Sequence, residues 1–327
     1  MSKLKNILIT GANGYIGSRL SLFLAEKGHR IYAVCYPKIP TDKNWTTKMF
    51  KIFVGDVSEP QFIQSLAAEK IDTIIHLVSL DHTESEKNNE FAFKVNVNPL
   101  TLLLEIFKDS LVNRVLYFST MQVYGKNLNN IVVEEQLPSP VNIYGLTHFI
   151  CETVMNYYHS PAFKCINLRL SNSYGSPIFS NKNCWNLVIN DLCKMAFKNR
   201  EIKLLSDGTP LRDFIHHTDV CKAVETLLFS ETEENTFNVS NGKTYSILEL
   251  SKFVQKVYAD RYNSNIPIFL NNGQKVKERS SQNLLYRYTV DNTKLKKENF
   301  DIETNLTKGI NELFDFLEDN TKHQDRD

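Results

Sequence analysis

Three glycines spaced three residues apart, Gly11, Gly14 and Gly17, follow directly on the apolar run Asn6-Ile7-Leu8-Ile9-Thr10. The missing side chains allow a tight turn, let backbone N–H groups approach a diphosphate, and let a helix pack closely on the strand before it. A helix is expected from Ser18 to Lys27, with Gly28 as its stop. The chain is therefore committed from its first residues to a strand-turn-helix unit. Further short apolar runs repeat the unit: Ile31 to Cys35, Phe50 to Val54, Thr73 to Leu77, Arg114 to Phe118 and Cys165 to Leu170. Between them lie helical stretches, among them Val95 to Phe107 and Tyr144 to Tyr158. Strands alternating with helices imply a parallel sheet covered on both faces, a doubly wound α/β fold.

After Ser171 the alternation breaks down. Pro177, Pro210 and Pro267 interrupt it, and helices are expected at Trp185 to Lys198, Asp219 to Ser230 and Ile247 to Tyr258. A length of 327 residues slightly exceeds one core, so a smaller C-terminal lobe is expected beside the nucleotide-binding domain. The division reads as 1–172 with 212–240 for the dinucleotide-binding domain and 173–211 with 241–320 for the substrate lobe. A last strand-helix element is expected over Val290 to Leu317, and a polar tail, 321–327, too poor in apolar residues to pack. A net charge of +1 gives no long-range field for nucleic acid or an anionic membrane, so any anion must be held locally. The six cysteines show no metal-like spacing, which suggests reduced thiols and a cytoplasmic protein without a metal. No run approaches the ~18 to 20 apolar residues needed to cross a bilayer.

Several tracts beyond the glycine loop occur in a fixed order. They are Gly55-Asp56-Val57, His76-Leu77-Val78-Ser79, Lys94-Val95-Asn96-Val97, Ser119-Thr120-Met121-Gln122-Val123-Tyr124-Gly125, Leu168-Arg169-Leu170-Ser171-Asn172-Ser173-Tyr174-Gly175, and Leu211-Arg212-Asp213-Phe214 leading to Asp219-Val220. Together they resemble the extended short-chain dehydrogenase/reductase family, in particular its NAD-dependent nucleotide-sugar epimerases and dehydratases. The resemblance implies a Rossmann-type doubly wound parallel sheet, a nucleotide-diphosphate sugar as substrate, and a homodimer. It implies cofactor contacts at Gly11, Asn13, Gly14, Tyr15, Ile16, Gly17, Asp56, Val57, Leu77, Val78, Ser79, Asn96 and Ser119. It implies substrate contacts at Met121, Gln122, Asn172, Trp185, Asn186, Leu187, Arg212 and Arg279. Strand two ends in Val34-Cys35-Tyr36-Pro37-Lys38, without the acid that often meets an NAD ribose. No arginine follows, so NAD is favoured over NADP.

Moving hydride to or from a carbinol carbon requires a proton to leave or reach its oxygen. In the family that group is a tyrosine with a lysine four residues on; this chain has Tyr144 and then His148. A free phenol titrates near ~10, too high for efficient base work at neutral pH. A neutral imidazole lies on the same helix face and can bond ribose hydroxyls, but it supplies no fixed positive charge. Thr120 is the partner hydroxyl that orients the sugar oxygen. Sugar 4,6-dehydratases of this type carry Asp-Glu after that threonine, and here Met121-Gln122 cannot protonate a leaving hydroxyl. Oxidation, reduction or epimerisation at C4 of a hexose or heptose is the expected chemistry. A rival of another class, a nucleotide-binding or regulatory protein that kept the fold and lost turnover, stays open at this point.

Overall fold

The computed structural model describes residues 4–126, 128, 130–180, 184–276 and 287–324. Its first unit is β1 (Asn6–Thr10), α1 (Tyr15–Glu26) and β2 (Arg30–Cys35). The alternation continues with α2 (Lys43–Thr46), β3 (Lys51–Val54), α3 (Pro60–Leu66) and β4 (Thr73–His76). Then come α4 (His82–Lys87), α5 (Asn89–Asn96), α6 (Asn98–Phe107), β5 (Arg114–Thr120), a 3-10 turn at Met121–Tyr124 and β6 (Ile131–Val132). The helix α7 (Ile143–Tyr158) leads to β7 (Lys164–Leu170) and β8 (Asn172–Tyr174). The remainder comprises α8 (Val188–Asn199), β9 (Ile202–Lys203), β10 (Leu211–His216), α9 (His217–Phe229), β11 (Thr236–Val239), β12 (Thr244–Ser246) and α10 (Ile247–Tyr262). It closes with β13 (Ile268–Phe269), β14 (Thr289–Val290), α11 (Thr293–Lys297) and α12 (Leu306–Gln324).

Seven strands form one sheet in the order β11-β7-β5-β4-β1-β2-β3, every pair parallel. Alternation along β1 explains why it sits at the centre. Ile7 and Ile9 face a core shared with Leu20 and Leu24 of α1 and Val224 of α9, whereas Leu8 faces Leu66, Leu103 and Met155 on the other side. All three β1 side chains are fully buried, worth roughly 1.5–3 kcal/mol each. The strand order reverses between β1, flanked by β2, and β4, flanked by β5. Sheets of this kind open a ligand crevice at that reversal, beyond the carboxyl ends of the strands.

A separate apolar cluster lies outside the large sheet, joining Ile189 and Leu192 of α8, Leu250 and Val254 of α10, and Ile310 and Phe314 of α12. Small sheets bind it to the rest: β10 pairs with β8 in parallel, Phe214 opposite Asn172, and with β12 antiparallel. β14 pairs with β6, Val290 opposite Val132. No helix among the described residues is long and apolar enough to cross a membrane.

Three elements differ from expectation. The stretch 95–107 is two helices, because Pro99 has no N–H for the Val95 carbonyl and α6 restarts at Asn98. α8 begins at Val188 rather than Trp185. α12 runs to Gln324, beyond the start of the expected tail, with Thr321 Oγ1 donating to the Leu317 carbonyl at 2.9 Å.

Candidate active site

β1 delivers Gly11 into the crevice at φ +72°, a conformation natural to glycine. The Gly14 N–H closes the turn on the Gly11 carbonyl at 2.8 Å. A Cβ on Gly17 would stand 2.1 Å from that oxygen, and one on Gly14 3.0 Å from it. Gly14 caps α1 without a side chain, leaving the first-turn N–H groups open to an anion. This cradle, which any methyl would fill, fits the diphosphate of a dinucleotide. Val78, following β4, lies against Gly11, its Cγ2 3.3 Å from where a Gly11 Cβ would be. The two sides of the reversal thus meet at one point.

Several expected cofactor contacts have side chains committed elsewhere. Asn13 Nδ2 donates to the Tyr36 carbonyl at 3.0 Å, and the two residues share a cavity of about 440 Å³ with Lys38 and Phe316. Tyr15 donates its hydroxyl to the Gly175 carbonyl at 2.8 Å, and burial pushes that phenol far up. Ile16 and Leu77 pack against the first core, and Val57 belongs to the second. Asp56 Oδ1 accepts the Ser58 N–H at 2.8 Å. Asn96 Oδ1 accepts the Leu80 N–H at 2.8 Å while its Nδ2 donates to Thr147 Oγ1 at 3.0 Å, fastening the loop after β4 to α7. Ser119 donates to Glu152 Oε1 at 2.5 Å. For Tyr15 and Ser119 the side chain is a brace, and what remains for a ligand is backbone.

The end of β5 and the first turn of α7 bring Thr120 and Tyr144 together. The Thr120 hydroxyl lies near enough to the Tyr144 phenol to favour its ionised form, and it accepts the Gln122 N–H at 3.2 Å. Burial raises the Tyr144 phenol to about 12; the Thr120 hydroxyl works against this, and the Asp81 carboxylate adds to it. One turn on, His148 is buried at 2% exposure, which rules out a solvated helix residue. Its ring stands 4.5 Å from that of Tyr144 between centroids, at 68°. Nδ1 lies 2.6 Å from the Tyr117 hydroxyl and Nε2 lies 3.2 Å from Ser79 Oγ, which itself donates to the Leu80 carbonyl. Burial takes the imidazole down to about 3, and His76 adds to the shift, so it is neutral at physiological pH.

Beneath this pair runs a buried network absent from the expected set. Arg169 reaches both Glu152 oxygens from Nε and Nη2, at 3.0, 3.2 and 2.7 Å. Its Nη1 donates to the Tyr124 hydroxyl and the Glu134 carbonyl, both at 2.9 Å. Glu152 sits four residues after His148, on the same helix face. An acid inside an otherwise apolar helix, matched by an arginine inside a strand, was the available signal.

Met121, Gln122, Asn172 and Arg212 line a common cavity of about 610 Å³ with His82 and Asn142. Asn172 Nδ2 donates to the Asp213 carbonyl at 2.9 Å, and Asn142 Nδ2 to Gln122 Oε1 at 2.9 Å. Trp185, Asn186 and Leu187 do not reach this wall. The Trp185 ring packs on Phe316 at 6.1 Å with Lys194 over it, Asn186 is exposed and Leu187 caps α8. Arg279 lies outside the described residues. His82 and Asn142 were missed because they stand in polar stretches that read as loop.

A glycine-cradled crevice at the strand reversal of a doubly wound sheet defines a dinucleotide-binding fold. The chain belongs to the NAD dependent epimerase/dehydratase family, whose model matches residues 7–240. It is 27% identical over 332 residues to the trifunctional UDP-glucose 4,6-dehydratase/UDP-4-keto-6-deoxy-D-glucose 3,5-epimerase/UDP-4-keto-L-rhamnose-reductase of Arabidopsis thaliana, covering 97% of this chain and 48% of the relative. It thus spans about half the length of that relative. It is 25% identical over 268 residues to UDP-glucose 4-epimerase of Halalkalibacterium halodurans, covering 77% of this chain and 80% of that one. A solved structure of MoeE5 in complex with UDP-glucuronic acid and NAD shares the fold at a TM-score of 0.78 and 23% identity, over 96% of this chain and 99% of that one.

Proposed function

We propose that the chain is an NAD-dependent oxidoreductase or epimerase acting at C4 of the sugar in a nucleotide-diphosphate sugar. The observation that carries this reading is the Thr120–Tyr144 hydroxyl pair at the carboxyl end of β5 and the start of α7, next in the chain to Met121, Gln122 and Asn142 of the 610 Å³ cavity. NAD, when bound, accepts hydride from the carbinol carbon and can return it. Tyr144 takes the proton from the C4 hydroxyl during oxidation and gives it back during reduction. Thr120 orients that hydroxyl towards the phenol, and Glu152 fixes the end of β5 through Ser119. His148 backs the Tyr144 ring and holds Ser79 in the loop beside Gly11. Asn172 and Arg212 supply an amide and a guanidinium on the cavity wall, the kinds of donor a diphosphate needs. Neither the Met121 thioether nor the Gln122 amide can protonate a leaving hydroxyl, which favours C4 chemistry over 4,6-dehydration. The separate apolar cores support a dinucleotide-binding part, 1–172 with 212–240, and a substrate part, 173–211 with 241–320.

A second reading, a nucleotide-binding protein without turnover, draws on one feature: a phenol raised to about 12 beside a neutral imidazole. One experiment separates the two. The protein is incubated with NAD and a panel of UDP-, dTDP- and GDP-sugars while NADH absorbance and product NMR are followed. An enzyme yields a 4-keto sugar or a C4 epimer, and Tyr144→Phe lowers the rate about 10²-fold or more. Tight binding of a sugar nucleotide with no conversion in the unmutated protein would leave the second reading standing.

A further inference from the structure

The six-residue helix α4 stands where the loop after β4 meets the large cavity. It is capped at its start and tied to α7 at its end. The Asp81 carboxylate accepts the Glu84 N–H at 2.9 Å, and Glu86 Oε1 accepts the Ile143 N–H at 2.6 Å, tying α4 to the first turn of α7. His82, the first residue of α4, is exposed and lines the cavity. Its ring lies edge-on to Tyr144, 6.5 Å between centroids at 82°. Tyr144 is thus flanked by two imidazoles. His148 is buried and bonded to Tyr117 and Ser79, whereas His82 faces the cavity and makes no hydrogen bond among the described residues.

The amides around it are partly engaged. Asn142 Nδ2 donates to Gln122 Oε1 at 2.9 Å while its Oδ1 accepts the Gly145 N–H at 2.7 Å, and Asn172 donates to the Asp213 carbonyl. The Met121 sulfur is a weak acceptor at best. Beside the phenol, the His82 imidazole is able both to donate and to accept a hydrogen bond, and among the described residues it does neither. A sugar placed with its reacting oxygen at Tyr144 and Thr120 presents its neighbouring hydroxyls to that wall.

We propose that His82 is a substrate-contacting residue that hydrogen-bonds a sugar hydroxyl vicinal to the carbon served by Tyr144. This rests on the C4 reading above. It makes His82 a determinant of which sugar is accepted, independent of the nucleotide and of the cofactor. The test is calorimetric titration of the NAD-loaded protein with UDP-glucose, UDP-N-acetylglucosamine and dTDP-glucose, and with UDP and dTDP alone. His82→Ala should weaken the best-bound sugar nucleotide about five- to tenfold and leave the free diphosphate and NAD unchanged. His82→Asn, which keeps a donor and an acceptor, should recover part of that loss. If His82→Ala preserves the ratio of sugar-nucleotide to free-diphosphate affinity, the assignment falls and the C4 reading survives. If the unmutated protein binds none of the sugar nucleotides, the C4 reading falls and takes this assignment with it.

Discussion

At the scale of single residues the decisive substitution is the imidazole at position 148. A lysine there would put a charge beside the phenol; His148 instead is held neutral by burial and fastened to Tyr117. Oxidation needs the phenolate, so its rate should climb with pH towards the raised phenol value of about 12 and show no plateau below pH 9. In His148→Lys an ammonium would face the Tyr144 ring with the Tyr117 and Ser79 hydroxyls as acceptors. A cation that close lowers a phenol by about 1–3 units, so the rise should begin at correspondingly lower pH. Burying that charge also costs stability, so a lower melting temperature is expected alongside the shift. Initial-rate profiles from pH 6 to 10.5 for both proteins check this, and superimposable profiles would refute an electrostatic role for the position.

At the scale of elements, the Glu152–Arg169 pair ties α7 to β7 and, through Ser119, to β5, in addition to the β5–β7 ladder and the apolar contacts. Removing one member of a buried pair strands the other charge, at about 3–5 kcal/mol. Glu152→Ala should therefore destabilise by that order in urea unfolding, and should also lower turnover because Ser119 loses its acceptor next to Thr120. Replacing both, Glu152→Leu with Arg169→Met, should recover much of the stability but not the turnover. A loss below about 1 kcal/mol in the single variant would show that the pair is not what holds these elements. These same elements mark how far sequence reading reached. The glycine turn and β1 were legible because the constraint is local, a φ of +72° at Gly11 and an apolar run that leads straight into a helical segment. Thr120 and Tyr144 were legible as members of ordered tracts. The partners of His148 were not, since Tyr117 comes from β5 and Ser79 from the loop after β4, 31 and 69 residues away. The packing of Trp185 was not legible for the same reason: an aromatic ring does not announce which helix it packs against, and here that helix is α12.

At the scale of the whole molecule, buried histidines set the response to acid. His76 and His148 are both taken down to about 3 by burial, and His217 well below its ordinary value, again by burial first. In the unfolded chain each would titrate near ~6.5. Between those values the unfolded state binds the proton and the folded state does not, so these groups stabilise fully above about pH 6.5 and progressively less as pH falls towards 3. Asp213 opposes them. Burial raises it to about 6 despite hydrogen bonds from Asn241 and Lys243, so between its ordinary value of ~3.9 and 6 the folded state holds the extra proton. His29 joins the lowered imidazoles and Glu134 and Asp191 join the raised carboxyls, while carboxylates such as Glu312 are held below their ordinary range, so on balance unfolding takes up protons near pH 5. The urea midpoint should therefore drop steadily from pH 7 to pH 4.5 at constant m-value. His76→Gln keeps a polar group near Thr10 but cannot titrate in this range, and should flatten the slope by about one proton. A midpoint that stays level over that interval would mean that these imidazoles are protonated in the folded protein, and with it the neutral state assigned to His148 beside Tyr144 would be lost.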